Sequence, residues 1–231
     1  SKDQPISLQL FVEVVAREGS KINFWANETL DAKVKAHIWR VGQLYHDSQV
    51  NWQINALSNG NVNLKLEVDL LGEGACTNVK IVGISSKKQE QKIQTQVRNC
   101  AKYSKGKIVQ HGVVLDEGKL LFAGTGEIQK EAKEAISKQE SRVLMLSDKA
   151  YGKVNVNPFL LINEDEVTAE HSASIGRVDE EAMYYLMSRG VAKEEAIHLL
   201  IRGFLESVGA SFSDLELKNE WTEAVKRKLN V

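Results

Sequence analysis

The chain has 231 residues, of which 42% are hydrophobic and 26% are charged, with a formal net charge of −1. This length and apolar content suffice for a sizeable buried core. The balanced charge argues against a dedicated nucleic-acid binder, which needs clustered basic side chains. No apolar run approaches the roughly 18 residues that a membrane-spanning helix requires.

The start of the chain, Ser1 to Pro5, has no apolar segment of the kind found in secretory signal peptides. The two cysteines, Cys76 and Cys100, form neither a metal-ligand spacing nor a disulfide framework. These features predict a protein of the reducing cytoplasm, without membrane contact and without a nucleic-acid partner.

Short strand patterns fill the chain from Ser7 to about Ile175. The clearest runs from Val62 to Leu70, where apolar and polar residues alternate as in a strand with one buried face. An earlier run from Val34 alternates in the same way, with an apparent shift of one residue before Val41.

Turn residues separate these runs at intervals of roughly 8–15 residues, and this spacing predicts an all-β sandwich, barrel or solenoid. The glycines counted as turn markers include Gly42, Gly83 and Gly106, and Gly124-Thr125-Gly126 is interpreted as a tight turn. One segment departs from the pattern. Gln129 to Glu140 has a helical composition, so we expect an irregular loop or short helical turn there, followed by a strand from Val143 to Leu146.

The last part of the chain predicts three helices. Asp179 is the expected N-cap of the first, and Gly190 follows its last turn. The second runs from Lys193 to about Val208, and a capping-box pair, Ser213 and Glu216, precedes the third. A small helical region therefore follows the β region.

No self-contained catalytic motif is present in the sequence. It lacks a phosphate-binding P-loop, an H-E-x-x-H pair, a G-x-S-x-G elbow and a C-x-x-C pair. We therefore expect that the chain is not an enzyme.

Among the five histidines, His171 is the candidate metal or cluster ligand. It ends a strand among small residues, where an imidazole would be accessible. Asp165, Glu166 and Glu170 lie close by in sequence and could orient it or join it on a metal such as iron. The alternative is a packing histidine that holds the end of the β region against the first tail helix.

Two blocks, in this order, carry a resemblance to the SufB/SufD family, the scaffold proteins of iron–sulfur cluster assembly. The first, Ala132 to Asp148, contains Gln139 and Arg142 ahead of Leu144-Met145-Leu146-Ser147-Asp148. The second contains an acidic D-E-V step, a histidine followed by small residues, and a Tyr-Leu-x-Ser-Arg-Gly run; these are Asp165-Glu166-Val167, His171 to Gly176, and Tyr185 to Gly190.

The resemblance implies a right-handed parallel β-helix over residues 1–177 and a helical domain over residues 178–231. It implies a scaffold subunit that forms a homodimer, or a heterodimer with a SufB-like protein, and that binds an ABC-type ATPase. His171 matches the motif histidine that in SufD lies at the contact with SufB, where a nascent cluster is thought to form. The isolated chain would hold no cofactor, and an iron–sulfur cluster would form in the complex.

Four tail residues are candidates for binding the ATPase. Tyr184 and Tyr185 are adjacent, so both cannot face one core, and Arg189 and Arg202 lie near helix ends. Tyrosine and arginine are frequent anchors of protein interfaces.

The chain also departs from the family pattern. It has no cysteine near Ala150 to Gly152, where SufB members carry one, so the chain resembles SufD more than SufB. Asn157 stands where the family usually has a lysine before the proline, and the usual N-terminal region is expected to be absent.

Two other functions stay open on the sequence alone. A β-helix enzyme acting on carbohydrates would need a carboxylate cluster, which Asp165, Glu166 and Glu170 could supply. The chain could also be a purely structural, self-assembling solenoid.

Overall fold

The computed structural model describes residues 4–150, 152–209 and 215–229, apart from the side chain of Asp148. Twelve strands precede three α-helices in this part of the chain. They are β1 Ile6–Ala16, β2 Lys21–Glu28, β3 Val34–Leu44, β4 Gln49–Ala56, β5 Asn61–Leu70, β6 Cys76–Ser85, β7 Glu90–Asn99, β8 Lys105–Val114, β9 Lys119–Ile128, β10 Ile136–Met145, β11 Val154–Ile162, β12 Thr168–Arg177, α1 Glu180–Ser188, α2 Lys193–Gly209 and α3 Leu215–Leu229.

The strands form two six-stranded sheets. Successive strands alternate between the sheets, so each turn of the solenoid contributes one strand to each sheet. Sheet A has the order β1-β3-β5-β7-β9-β11, and sheet B has the order β2-β4-β6-β8-β10-β12. Every strand pairing within the described residues is parallel. The molecule is therefore a mainly β, parallel solenoid of six turns followed by helices, which confirms the expected fold.

Successive turns stack in register although they differ in length. Lys35 lies opposite Asn61, 26 residues later, whereas Leu120 lies opposite Val154, 34 residues later. The difference is taken up by the connecting loops, so no fixed period is visible in the sequence.

A column of left-handed residues forms the corner between sheet A and sheet B. Asp47, Gly74, Tyr103 and Glu134 have φ angles of 49°, 71°, 59° and 56°. The backbone N–H of each donates to a carbonyl in the corner of the next turn, at N–O distances of 2.6–3.0 Å. The corners are therefore bonded to each other as the strands are.

The space between the sheets, which we call the lumen, holds the main core. The alternation from Val62 to Leu70 is confirmed, since every second residue of β5 is buried in it. Several glycines that were interpreted as turn markers lie inside strands instead. A side chain placed at any of these positions would contact lumen residues. These glycines are Gly42, Gly83 and Gly106.

The expected shift before Val41 is wrong, because the lumen position there is occupied by a charged residue. Arg40 is only 2% exposed, and its Nη1 lies 2.6 Å from Oε1 of Glu28. Its guanidinium also lies over the ring of Phe24. Burial raises the pKa of the Glu28 carboxyl, and the nearby Arg40 partly offsets that rise.

The predicted loop or helical turn at Gln129 to Glu140 is also partly wrong. Turns occupy residues 130–135, but β10 already begins at Ile136 and sends alternate polar side chains into the lumen. Ala132 and Ala135 are buried with Ile128 in a small cluster under the corner. Their helix-like spacing reflects packing in a tight turn.

The helices cover the outer face of sheet B. Side chains of α2 and α3 share an apolar cluster with sheet residues, among them Val82, Ile84 and Val113. Asp179 caps α1 as predicted, accepting from two backbone N–H groups, and Gly190 has a left-handed φ of 86°. Ser213, half of the expected capping box, lies outside the described residues. Because sheet and helices share this cluster, the division at residue 177 stays a prediction.

No helix in the described residues combines the length and the apolar character that crossing a bilayer requires.

A buried lysine fixes α3 to the solenoid. Lys228 is 3% exposed, and its Nζ donates to the carbonyl oxygen of Ser58, to Oδ1 of Asn59 and to Oε1 of Gln89. Burial lowers the pKa of this ammonium from 10.5 to about 8, with a smaller contribution from Lys87. At neutral pH the group is charged and each of its three protons has an acceptor.

This lysine predicts a specific pH dependence. Between pH 8 and 10.5 the unfolded chain binds more protons at this group than the folded chain. The unfolding free energy of the wild type should therefore rise relative to that of Lys228→Met as pH increases through this window. Urea unfolding at pH 7, 8, 9 and 10 measures the difference. Lys226→Met, an exposed lysine of the same helix, should show no such trend, and equal trends for both variants would contradict the assignment.

Candidate functional site

The last turn of the solenoid is open. Among the described residues, β11 pairs only with β9, and β12 pairs only with β10. No strand of the described residues pairs with the other edge of either one, and a strand edge of this kind can bind a further strand. Large apolar side chains are exposed along the same turn: Phe159, Leu161, Ile162 and Ile175. Unpaired edges together with exposed apolar groups are typical of an interaction surface.

His171 lies on β12 in this open turn. It is in register with Gln139 of β10, whose side chain enters the lumen, so His171 is on the lumen side of its strand. Because no further turn follows among the described strands, the imidazole is exposed.

The predicted supporting carboxylates are not gathered around His171. Glu170 is adjacent in a strand and so lies on the opposite face, where its Oε1 is 3.1 Å from Nζ of Lys138. Glu166 pairs with Lys133 at 3.4 Å, and Asp165 lies in the preceding loop. Within the described residues, no group of three or more His, Cys, Asp or Glu side chains is placed to hold a metal ion.

The lumen becomes polar beside the open turn. Ser141 donates to Oε1 of Gln110 at 2.9 Å, and Nε2 of Gln110 donates to Thr95 at 3.2 Å. Gln139 reaches across to sheet A, where its Nε2 donates to the carbonyl oxygen of Phe159 at 2.8 Å. The apolar core of the first turns is thus replaced by hydrogen-bonded amides and hydroxyls.

The Gly124-Thr125-Gly126 motif lies within β9, so its interpretation as a tight turn is wrong. Both glycines face the lumen, opposite Gln139 and Ser137, and any side chain at either position would meet those groups within 3 Å. Two glycines at positions i and i+2 lie on the same face of a strand. This spacing is the sequence signal that could have revealed the crowded lumen face of β9.

His111 joins the helices to sheet B. It is 5% exposed, and its ring stacks on Phe204 of α2 with 4.5 Å between centroids. Nδ1 lies 3.0 Å from the carbonyl oxygen of Phe204, and Nε2 lies 3.3 Å from Oε1 of Glu140. Glu140 in turn pairs with Arg142 at 2.8 Å. This contact connects the tail to the outer face of β10, one strand from the open edge.

The two cysteines are free and half buried. Burial raises the pKa of the Cys76 thiol, and burial together with Asp69 raises that of Cys100 to about 11. Both are neutral thiols at pH 7, a form that binds iron poorly compared with the thiolate.

The tail candidates differ in their surroundings. Tyr184 is 77% exposed, and α1 has no buried residue at all. Tyr185 is exposed and lies under the guanidinium of Arg189, at 5.2 Å. Arg202 pairs with Glu206 at 2.7 Å and lines an apolar groove of about 660 Å³ between α2 and α3. Within the described residues, α1 therefore presents an exposed surface, and a groove lies between α2 and α3.

Comparison with known proteins gives the family. A family model described as SUF system FeS cluster assembly, SufBD core domain, matches residues 3–204. The chain belongs to this SufBD core family. It is 38% identical over 218 residues to the iron–sulfur cluster assembly protein SufD of Bacillus subtilis, which supports the SufD-like assignment. It is also 26% identical over 205 residues to iron–sulfur cluster assembly SufBD family proteins of Staphylococcus saprophyticus and Staphylococcus aureus.

Each match covers a larger share of this chain than of the relative. The SufD match takes in 94% of this chain and 49% of the Bacillus protein, and the staphylococcal matches take in 84% of this chain and 42% of those proteins. The chain spans about half the length of the relatives that it matches. The SufBD core match extends over the whole solenoid, α1 and most of α2.

Proposed function

We propose that this SufBD core is part of a scaffold subunit for iron–sulfur cluster assembly, working with a SufB-like partner or a second copy and with an ABC-type ATPase. The observation that carries the proposal is the open last turn, which combines unpaired strand edges, an apolar rim and His171. The names of its relatives point to the same process.

The cluster is cargo that forms at the contact between subunits. His171 supplies one imidazole ligand, and within the described residues it belongs to no group of three or more His, Cys, Asp or Glu side chains that could hold a metal ion. We propose that the remaining ligands come from the partner and from the cluster's own sulfide. A neutral imidazole suits iron as a borderline ligand, and its position at the lumen mouth leaves one side open to the partner.

An enzyme is a weaker reading of the same geometry. A glycoside-cleaving site needs two carboxylates facing one substrate. Here Glu166 and Glu170 form ion pairs with Lys133 and Lys138 on the outer side of the last turn.

The two free thiols suit a reducing compartment, and we propose the cytoplasm.

The ATPase would bind the tail through α1 and the groove between α2 and α3. Tyr184 and Met187 are three residues apart on α1 and both exposed, so they form an apolar stripe with no cover among the described residues. The helix α2 contacts both α1 and sheet B. A displacement of the tail by the bound ATPase would therefore be transmitted to β10 through the contacts of His111 with Phe204 and Glu140.

The histidine prediction tests the proposal most directly. His171→Ala should lower the yield of cluster at least several-fold in the protein reconstituted with its SufB-like and ATPase partners. The thermal midpoint should stay within a few degrees, because an exposed side chain contributes within about 0.5 kcal/mol to stability. Iron and sulfide analysis and calorimetry provide the two measurements. His37→Ala, an exposed histidine on the outer face of sheet A, is the control. Normal yield with a lowered midpoint would show that His171 is a packing residue.

The pairing prediction concerns the end of the solenoid. Ile175→Lys places a charge on the open apolar edge and should weaken subunit association about tenfold or more. Sedimentation velocity across a concentration series measures this change. Ile6→Lys makes the same substitution on β1, at the opposite end, and should leave association unchanged. The reverse pattern would place the contact at the first turn.

The tail prediction uses a point substitution, because removal of the tail would uncover the apolar outer face of sheet B. Tyr184→Ala should weaken ATPase binding by about tenfold, the cost typical of an interface anchor, without changing the thermal midpoint. Calorimetric titration gives the affinity. Tyr45→Ala, an exposed tyrosine in a solenoid corner, is the matched control, and equal affinities for the two variants would place the ATPase elsewhere.

A further inference from the structure

Gln139 is the one lumen side chain that ties sheet B to the open strand of sheet A within the described hydrogen bonds. It is 5% exposed, and its Nε2 donates to the backbone carbonyl of Phe159 on β11. Among the described strands, β11 otherwise pairs only with β9. The amide therefore fixes the position of the rim at the point where Phe159 is exposed.

The opposite wall is shaped to admit this amide. A Cβ at Gly124 would lie 2.9 Å from Oε1 of Gln139, and a Cβ at Gly126 would lie 2.7 Å from its Nε2. Real Cβ atoms do not approach polar atoms so closely without displacement. Two glycines in one strand weaken that strand, so the space they leave has a structural use.

One half of the amide is unused. Oε1 of Gln139 is buried and has no hydrogen-bond partner among the described residues. The similar amide of Gln110, one strand earlier, has both halves bonded, to Ser141 and to Thr95. Leaving a buried acceptor unpaired is unfavourable, so its presence beside an open site calls for a partner.

The nearest ladder position on the open side belongs to His171. Gln139 and His171 are register partners on adjacent strands, about 4.8 Å apart, with side chains on the same face. An imidazole N–H is the donor that such an acceptor lacks. A hydrogen bond to one ring nitrogen decides which nitrogen keeps the lone pair.

We propose that Gln139 is the positioning residue for His171: its Oε1 accepts one imidazole N–H, so that the other ring nitrogen faces the open edge as a ligand. Its Nε2 at the same time holds the rim at Phe159. This assignment rests on the proposed function, in which His171 binds iron at the subunit contact. It follows the general rule that a ligating histidine is oriented by a partner on its second nitrogen.

Two variants separate the two halves of the amide. Gln139→Met keeps the length of the side chain and removes both donor and acceptor. Gln139→Glu keeps an acceptor and removes the donor to Phe159. Gln110→Met removes a buried amide from the same lumen without touching β11 or β12, and it is the control for a purely structural loss.

The decisive readout is the tautomer of His171, from the ring ¹⁵N chemical shifts of the whole protein at a fixed pH. The wild type, Gln139→Glu and Gln110→Met should show one fixed tautomer, and Gln139→Met should show averaging between two. Cluster yield in the reconstituted complex should fall several-fold in Gln139→Met, toward the level of His171→Ala, and stay near wild type in Gln110→Met.

Identical ring shifts in the wild type and Gln139→Met would overturn the inference, and so would equal changes in Gln139→Met and Gln110→Met. A normal yield in Gln139→Met alongside a reduced yield in His171→Ala would overturn it while the proposed function stands. A normal yield in His171→Ala would instead overturn the proposed function itself.

Discussion

Parallel stacking in register is the constraint on which the whole molecule depends. Each lumen position of one turn lies directly against the same position of the next, so a polar group there must find its partner in a neighbouring turn or across the lumen. Arg40 meets Glu28 in this way at the start of the solenoid, and Gln110 meets Ser141 near its end. The apolar side chains stacked between these polar groups form the buried core that holds the turns together.

The sequence shows the alternation of buried and exposed residues only where one face of a strand is exposed to solvent. Val62 to Leu70 alternates cleanly because the outer face of sheet A faces solvent. In β6 and β8 the helices cover the outer face as well, so Val82, Ile84 and Val113 are buried outside the lumen and the alternation is lost. Composition also misleads where a charged residue is buried, as at Arg40. The parallel, coiled arrangement came from the family resemblance, since period-two patterns occur equally in sandwiches.

The candidate site was predictable in part for a related reason. His171 could be singled out because its small neighbours and its motif are local in sequence. Its true neighbour, Gln139, is 32 residues away, and their pairing depends on the exact lengths of two corners that no local pattern specifies. The carboxylates near His171 in sequence were misleading, since adjacent residues of a strand point to opposite faces and Glu170 pairs with Lys138.

The open edge of the last turn has a consequence for how such proteins diverge. A free strand edge offers the same N–H and C=O groups to any chain, so the backbone does not distinguish a copy of itself from a relative. Discrimination is left to a few rim side chains, such as Phe159, Leu161 and Ile175. If two copies pair through this edge, a handful of substitutions at these positions after a gene duplication would turn that symmetric pair into an obligatory pair of unlike chains. Such substitutions would leave the solenoid beneath unchanged.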